Sequence, residues 1–310
     1  MMAEPRKRRN TRKVVAGNLA IGGDAPISVQ SMTNVPTTNV SSVLDQIGVL
    51  ARNGAEMVRV AVPDRESAMA LQAIVEASPV PVVSDIHFDP ELALMALEAG
   101  THKLRLNPGN IRDRSAVAGI AEKAALLGVP IRIGVNSGSV PGDLLDLYGG
   151  VNEESMWAAA ERHFTLLESL GFRDIVLSLK ASDPMLTVRV NRMAAQRCPY
   201  PLRLGVTEAG PRSTAGIRSA VAMGILLEEG IGDTIRVSIS GSPEPEPEAG
   251  WEILSSLDLR RRFVRIVSCP TCARARLDVE NLALRVQGMV QGIEKPVTVA
   301  VMGCEVNGPG

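Results

Sequence analysis

One rhythm constrains the fold of this chain more than any other feature. From residue 26 onward, a short β-rich run, a polar or glycine-rich turn and an amphipathic helical stretch follow one another eight times. The β-rich runs cover residues 26–32, 56–62, 81–86, 103–107, 131–136, 174–180, 202–207 and 234–240. They are mostly continuous apolar or β-branched segments, as parallel strands buried on both faces should be. Between them the apolar spacing turns helical. Val43, Ile47, Leu50 and Ala51 share a face before Gly54, and Ile217, Val221 and Ile225 recur four apart before Gly230. A glycine just past the last periodic residue is a good helix stop. Residues 91–99 and 116–127 behave likewise. Eight strands alternating with helices predict parallel βαβ units, and the count of eight predicts an α/β chain closed into a (β/α)8 TIM barrel. An open doubly wound sheet is the alternative, since one miscounted strand would remove the argument for closure.

The barrel is assigned to residues 26–241. Residues 1–13 are basic and polar and read as a solvated tail, with residues 1–25 forming that tail and the lead-in to the barrel. The stretch Gly241-Ser-Pro-Glu-Pro-Glu-Pro-Glu-Ala-Gly250 alternates proline with glutamate. Proline suits neither a helix interior nor a central strand, so residues 242–250 are expected to form an extended, stiff linker. Residues 251–310 then form a small α+β module with a helical segment, three cysteines and a β-rich run at 297–302. So short a module needs a staple to be stable, and a bound cluster would be one.

Charge narrows the function. Lys+Arg 33 against Asp+Glu 34 leaves a net charge of -1, so no global basic field points to nucleic acid or a membrane surface. Aromatic residues, at 3%, are too scarce for a base-stacking platform. No apolar run is long enough to span a bilayer, and residues 1–13 lack the apolar stretch of a signal peptide. The expected compartment is a reducing cytoplasm, where Cys198, Cys269, Cys272 and Cys304 point to metal or catalysis rather than disulfides.

In a TIM barrel the active site lies where the strands end. Those ends carry an unusual set: Arg59, Asp85 and His87, Arg105 and Asn107, Arg132 and Asn136, Lys180, Glu208, and Arg236 with Ser238. One charge inside a β-rich run can be an outward salt bridge. Arg59, Arg105, Arg132 and Lys180 at equivalent places in successive strands form a convergent cationic ring suited to phosphate or diphosphate. Glycine-rich turns after several strands would let backbone amides approach phosphate. The competing reading is a buried salt-bridge network that serves packing alone. His87 is a candidate acid or base; Asp85 and Glu208 are candidate proton donors or hydroxyl anchors. His102 and His163, at a strand start and within a helix, read as structural.

Cys269-Pro-Thr-Cys272 alone fits a redox dithiol, half a zinc site or half an iron–sulfur site. Cys304, in a glycine-rich loop, tilts the set toward metal. Three thiolates suit a [4Fe–4S] cluster with one non-cysteine position, while zinc with a fourth ligand of another type competes. Cys198 stands apart and reads as a buried small hydrophobe.

Segments that run in order across nearly the whole chain carry a resemblance. They are Ser28-Val-Gln-Ser-Met-Thr-Asn34, Val58-Arg-Val-Ala-Val62, Ser84-Asp-Ile-His-Phe88, Lys103-Leu-Arg-Leu-Asn-Pro-Gly-Asn110, Ile131-Arg-Ile-Gly-Val-Asn-Ser-Gly138, Ser178-Leu-Lys-Ala-Ser182, Gly205-Val-Thr-Glu-Ala-Gly210, Ser268-Cys-Pro-Thr-Cys272 and Met302-Gly-Cys304. The sequence resembles the two-domain bacterial 4-hydroxy-3-methylbut-2-enyl diphosphate synthases of isoprenoid precursor biosynthesis. The resemblance implies reductive ring opening and dehydration of 2-C-methyl-D-erythritol 2,4-cyclodiphosphate, with two electrons passing from ferredoxin or flavodoxin through a [4Fe–4S] cluster. It also implies a homodimer. By position it makes Arg59, Arg105, Arg132 and Lys180 diphosphate ligands. Asp85, Asn107, Asn136 and Glu208 become polar active-site residues, with Glu208 as proton donor. Cys269, Cys272 and Cys304 become cluster ligands. The fourth ligand implied is a glutamate just after an Asn-Gly-Pro-Gly-type turn; that position lies past Gly310, so the cluster domain is expected to be incomplete here.

Two other readings stay open on the residues. One is a non-redox barrel synthase handling a pterin or phosphosugar beside a structural zinc module. The other is a binding protein that keeps the anion pocket without a working cluster.

Overall fold

The computed structural model of the chain describes residues 7–307. Two compact units divide it, Met1–Ile253 and Leu254–Gly310. The first opens with an antiparallel hairpin of β1 (Val14–Ala16) and β2 (Leu19–Ile21). Next come β3 (Ser28–Met32), α1 (Val40–Arg52), β4 (Met57–Ala61), α2 (Arg65–Ala77), β5 (Val82–Asp85), α3 (Pro90–Glu98), β6 (Lys103–Arg105) and α4 (Arg114–Leu127). The series continues through β7 (Ile131–Asn136), α5 (Gly142–Tyr148), α6 (Glu153–Ser169), β8 (Ile175–Lys180), α7 (Pro184–Arg197), β9 (Arg203–Leu204), α8 (Arg212–Glu228) and β10 (Thr234–Ile235).

Each of the eight β-rich runs contains one of the strands β3 to β10. They are hydrogen-bonded in the order β8-β7-β6-β5-β4-β3-β10-β9, all parallel. A parallel bridge between Leu177 and Leu202, with Leu177 N–H donating to Pro201 O at 2.9 Å, joins the two edges and closes the barrel. The helices start where capping chemistry sets them. Asp64, Asp113, Asn152 and Asp183 accept from backbone N–H groups of the turns they open.

Along β7 the even positions Arg132, Gly134 and Asn136 look into the barrel, while Ile131, Ile133 and Val135 pack outward under the helices. This period-two alternation is what sends charges inward from otherwise apolar strands. The hairpin had no counterpart in the sequence reading. Val14, Ala16 and Ile21 form one buried cluster with Met57, Val83 and Val176, which lie at strand starts. The hairpin therefore plugs the floor of the barrel and leaves the opposite mouth for a site.

Two expectations about the barrel's ends are corrected. Residues 7–13 are not a solvated tail. Arg8 pairs with Asp233 at 2.9 Å, Arg9 donates to the carbonyls of Cys198 and Tyr200, and Arg12 N–H donates to Pro199 O at 2.8 Å. Basic side chains here satisfy carbonyls left free where the strands begin. Residues 1–6 of the same predicted tail lie outside the described residues. Nor is 242–250 an extended linker, because α9 (Pro245–Ser256) begins inside it. Pro245 and Pro247 fall in the first turn, where backbone N–H groups have no helical partner, and Glu246 and Glu248 suit that end of the helix dipole. Trp251 Nε1 donates to Gly54 O at 2.8 Å, fixing the helix against the barrel. The two units divide inside this helix, not across a linker.

The second unit contains β11 (Arg265–Ser268), α10 (Val279–Val290) and β12 (Thr298–Val301), with the two strands parallel and α10 as the crossover. The run at 297–302 holds β12; β11, a four-residue strand after an arginine run, was not foreseen. The final glycines of the predicted Asn-Gly-Pro-Gly turn lie outside the described residues. Among the described residues no helix is long and apolar enough to cross a membrane.

Candidate active site

At the mouth of the barrel five strands deliver charged side chains to one place. Asp85, at the end of β5, holds its carboxylate 3.6 Å from Arg59 Nε of β4 and 3.4 Å from Arg105 Nε of β6. His87 follows on the same loop, with Nε2 3.6 Å from Asp85 and Nδ1 2.7 Å from Arg105 Nη1. A guanidinium only donates, so Nδ1 accepts and the imidazole proton sits on Nε2, facing Asp85. Burial alone would raise the Asp85 carboxyl, but Arg59, His87, Arg105 and Arg132 together hold it far below the usual carboxylate range.

Arg132, Lys180 and Arg236 join this group, and so do two residues that the sequence reading passed over, Lys103 and Arg203. Lys103 at the start of β6 and Arg203 of β9 are fully buried inside the barrel, and Arg236 follows β10. Arg203 Nε donates to Gln30 Oε1 at 2.6 Å. Arg236 makes a double contact with Glu246 at 2.9 and 3.0 Å, and Glu246 also accepts from Ser31 Oγ at 2.8 Å. Among the described residues the interior thus holds seven cationic side chains that feel one another, Arg59, Lys103, Arg105, Arg132, Lys180, Arg203 and Arg236, against the two carboxylates of Asp85 and Glu246. Burial, reinforced by the neighbouring cations, pulls Lys103, Lys180, Arg132 and Arg203 well below their ordinary values, and Arg59 down to about 10. Positive charge so poorly balanced in a low-dielectric interior is what an anionic ligand would relieve. The cue that singled out Arg59, a charge within a β-rich run, applies equally to Lys103 and Arg203. Nothing marked Glu246, which sits in the stretch read as a linker.

Other candidates divide. Asn107 is buried and holds the backbone of Gly134 at both ends, donating to its carbonyl at 2.8 Å and accepting from its N–H at 2.9 Å. A Cβ on Gly134 would lie 3.2 Å from Arg132 Nη2, so a side chain here would press on that guanidinium. Asn136 is half-buried and caps the short turn Ser137–Ser139. Ser238 is half-buried in the loop after β10. Glu208 is exposed on the turn after β9, and among the described residues no hydrogen bond or ion pair joins it to the cation cluster. Its φ of 52° is left-handed, a strained conformation for a residue with a side chain. The turn after β6 does not offer amides to a phosphate as expected. Gly109 N–H donates to His163 Nδ1 at 2.9 Å, Asn110 N–H to Asn107 O at 2.9 Å and Ile111 N–H to Pro108 O at 3.1 Å.

In the second unit the three cysteines sit on loops leaving the same end of the β11–β12 pair. Ser268 and Val301 are register partners, and Cys269 N–H donates to Val301 O at 3.1 Å. The Cys272 loop runs beside that of Cys304, with Arg276 N–H donating to Gly303 O at 3.0 Å. Asn307 Nδ2 lies 3.2 Å from Cys269 Sγ. Cys272 is exposed, and Cys269 and Cys304 are half-buried. A single zinc ion needs thiolates about 2.3 Å from one point. Among the described residues no three His, Cys, Asp or Glu side chains are grouped to hold one ion. Three thiols on adjacent loops still fit, in donor chemistry, a multi-iron cluster that spreads its thiolates over different irons. Cys198, in the first unit, is half-buried and donates to Ala194 O at 3.4 Å.

Comparison with known proteins places this geometry. The profile of the GcpE TIM-barrel domain matches residues 11–251, and that of the GcpE protein C-terminal domain matches residues 265–310. The chain is 51% identical over 300 residues to 4-hydroxy-3-methylbut-2-en-1-yl diphosphate synthase (flavodoxin) of Geobacter sulfurreducens, covering 97% of this chain and 85% of that protein. It is 50% identical to the protein of the same name from Frankia casuarinae, covering 98% and 79%. Among solved structures the barrel is similar to type I 3-dehydroquinate dehydratase from Clostridium difficile (TM-score 0.57, 12% identity, 80% of this chain and 97% of that one). It is also similar to a dihydropteroate synthase from Coxiella burnetii (TM-score 0.56, 13% identity, 80% and 98%). At such identities these likenesses establish the TIM-barrel fold and nothing finer. With both domain profiles matched in order and relatives near half identical along almost its full length, this chain belongs to the GcpE family.

Proposed function

We propose that the protein is a cytoplasmic 4-hydroxy-3-methylbut-2-enyl diphosphate synthase that opens 2-C-methyl-D-erythritol 2,4-cyclodiphosphate. The reaction consumes two electrons and two protons and releases one water. The observation that carries the reading is the barrel interior, where seven cations face two carboxylates. A cyclic diphosphate supplies the missing negative charge, and guanidinium groups clamp it through paired donors. Arg59, Arg105, Arg132 and Lys180 bind it, with Asn136 and Ser238 placed near the strand ends for its hydroxyls. Asn107 fixes the β6–β7 spacing through Gly134 and keeps one amide hydrogen for the substrate.

Asp85 stays ionised in the face of its burial, so its role is to hold Arg59, Arg105 and His87 in place and to accept a substrate hydroxyl. His87, with Nε2 toward Asp85 and Nδ1 toward Arg105, orients that carboxylate. Glu208 is the proton donor for the departing hydroxyl; its exposure lets it exchange protons with solvent, and its left-handed backbone supports a functional constraint at that turn. Cys269, Cys272 and Cys304 would hold a [4Fe–4S] cluster, which when bound supplies electrons to the carbon–oxygen bond being broken. Flavodoxin, named for the relatives, or ferredoxin is the electron donor, and the working enzyme is a homodimer.

The test is anaerobic reconstitution with iron and sulfide, followed by turnover of the cyclodiphosphate with reduced flavodoxin. About four irons and four sulfides per chain with turnover are expected. Bound zinc without sulfide, and no turnover, would refute the redox reading.

A further inference from the structure

We propose that His163, on α6 and outside the cation cluster, is a positioning residue for the turn that follows β6, acting through an unprotonated Nδ1. The inference rests on the functional reading above, in which Asn107 and Arg105 of that strand meet the substrate. The turn Pro108–Asn110 leaves β6 at the mouth of the barrel, and Gly109 and Asn110 are exposed there. Its own hydrogen bonds are local, from Asn110 N–H to Asn107 O and from Ile111 N–H to Pro108 O. The tie that anchors it to a separate element is Gly109 N–H donating to His163 Nδ1 at 2.9 Å. The fit is close. A Cβ on Gly109 would lie 2.6 Å from the same nitrogen, so glycine at 109 and histidine at 163 are specified together.

An acceptor at Nδ1 requires the neutral ring with its proton on Nε2. Two features keep it so. His163 is buried, and the charged groups facing it are Arg105, of the binding cluster, and Arg162, itself paired with Asp143 at 2.5 Å. Burial, then these two cations, lower its pKa to about 4. A histidine next to the diphosphate site is thus held uncharged and spends its lone pair on the backbone. Releasing it frees Pro108–Asn110, and with that turn the orientation of Asn107, whose backbone carbonyl is bonded to Asn110.

The experiment compares wild type with His163→Phe, His163→Gln and Gly109→Ala. Calorimetry measures inorganic pyrophosphate binding, and steady-state kinetics uses the cyclodiphosphate, both well below the melting temperature. His163→Phe and Gly109→Ala are expected to weaken pyrophosphate binding and raise KM by about fivefold or more, with kcat changed by less than about twofold. His163→Gln, which keeps an acceptor, should recover most of the loss. Normal pyrophosphate affinity and KM in both disruptive variants, with only the melting temperature lowered, would overturn the proposal and leave His163 a packing residue. A wild type that binds pyrophosphate but never turns over the cyclodiphosphate would sink the functional reading alone. The positioning role would then be decided by the pyrophosphate arm.

Discussion

Replacing Glu246 with glutamine tests whether the barrel interior is as short of negative charge as the structure indicates. Glu246 is 1% exposed. Its carboxylate makes two contacts with Arg236, accepts from Ser31 Oγ, and accepts from Ile239 N–H at 3.1 Å. Glu246→Gln keeps the shape and removes the charge. It leaves Arg236 facing six other cations with Asp85 as the remaining carboxylate of the group. Removing one partner of a buried pair costs about 3–5 kcal/mol because the other charge stays desolvated. For a domain of this size that corresponds to a fall in Tm of roughly 6–20 °C. Urea denaturation of the full chain reads the free energy directly, from a shift in midpoint at constant slope. The same reasoning requires that a diphosphate replace the lost charge. Saturating inorganic pyrophosphate should therefore stabilise Glu246→Gln by more than it stabilises the wild type. A loss under about 1 kcal/mol, or equal stabilisation of both proteins by pyrophosphate, would refute the argument, because it would mean Arg236 is hydrated and unstressed.

Other outcomes follow from the same geometry. Arg105→Ala should weaken cyclodiphosphate binding at least about tenfold by calorimetry, because a guanidinium contributes charge-assisted, paired hydrogen bonds; unchanged affinity would assign Arg105 to a structural network with Asp85. Asp85 has a depressed folded pKa, so its stabilisation is present above the ordinary carboxylate value of about 4 and is lost as pH falls through the folded value. The stability gap between wild type and Asp85→Asn should accordingly be widest near neutral pH and narrow below about pH 4, as followed by denaturant titrations across pH. Gly205→Ala places a methyl 2.6 Å from the Arg236 carbonyl oxygen and 2.8 Å from Lys180 Nζ. It should cost about 1–3 kcal/mol by overpacking and also weaken pyrophosphate binding, a pairing that differential scanning calorimetry and titration would reveal.

The barrel was legible because its signal repeats. Eight apolar runs at helix-separated intervals leave few topologies, and each run holds a strand. The hairpin of β1 and β2 was not legible, since three-residue strands carry no periodicity and its purpose, closing a floor, exists only once the barrel does. Lys103 and Arg203 carried the cue that picked out Arg59, yet Lys103 lies at a strand start rather than an end and so escaped a reading aimed at the mouth. The Pro/Glu stretch misled for a definite reason. Proline is hostile to helix interiors but welcome in a first turn, and sequence alone does not say which of the two a proline occupies. His163 read as structural because nothing in the chain reveals that a helix will bring it to Gly109, more than fifty residues earlier. The three cysteines were grouped from their spacing, and what the structure adds is that one end of a parallel strand pair collects their loops.

The strap formed by Arg8, Arg9 and Arg12 has a consequence for how the chain acquires its shape. Its partners, Cys198, Pro199, Tyr200, Gly230 and Asp233, are synthesised roughly two hundred residues later, and β3 likewise waits for β10. The earliest described segment therefore cannot dock until the last βα unit has left the ribosome. Its contacts are among the most non-local the topology permits, which places barrel closure late and makes it slow. Until then β3, rich in polar interior side chains, stands as an open edge, and it is during that interval that the nascent protein has most need of protection from aggregation.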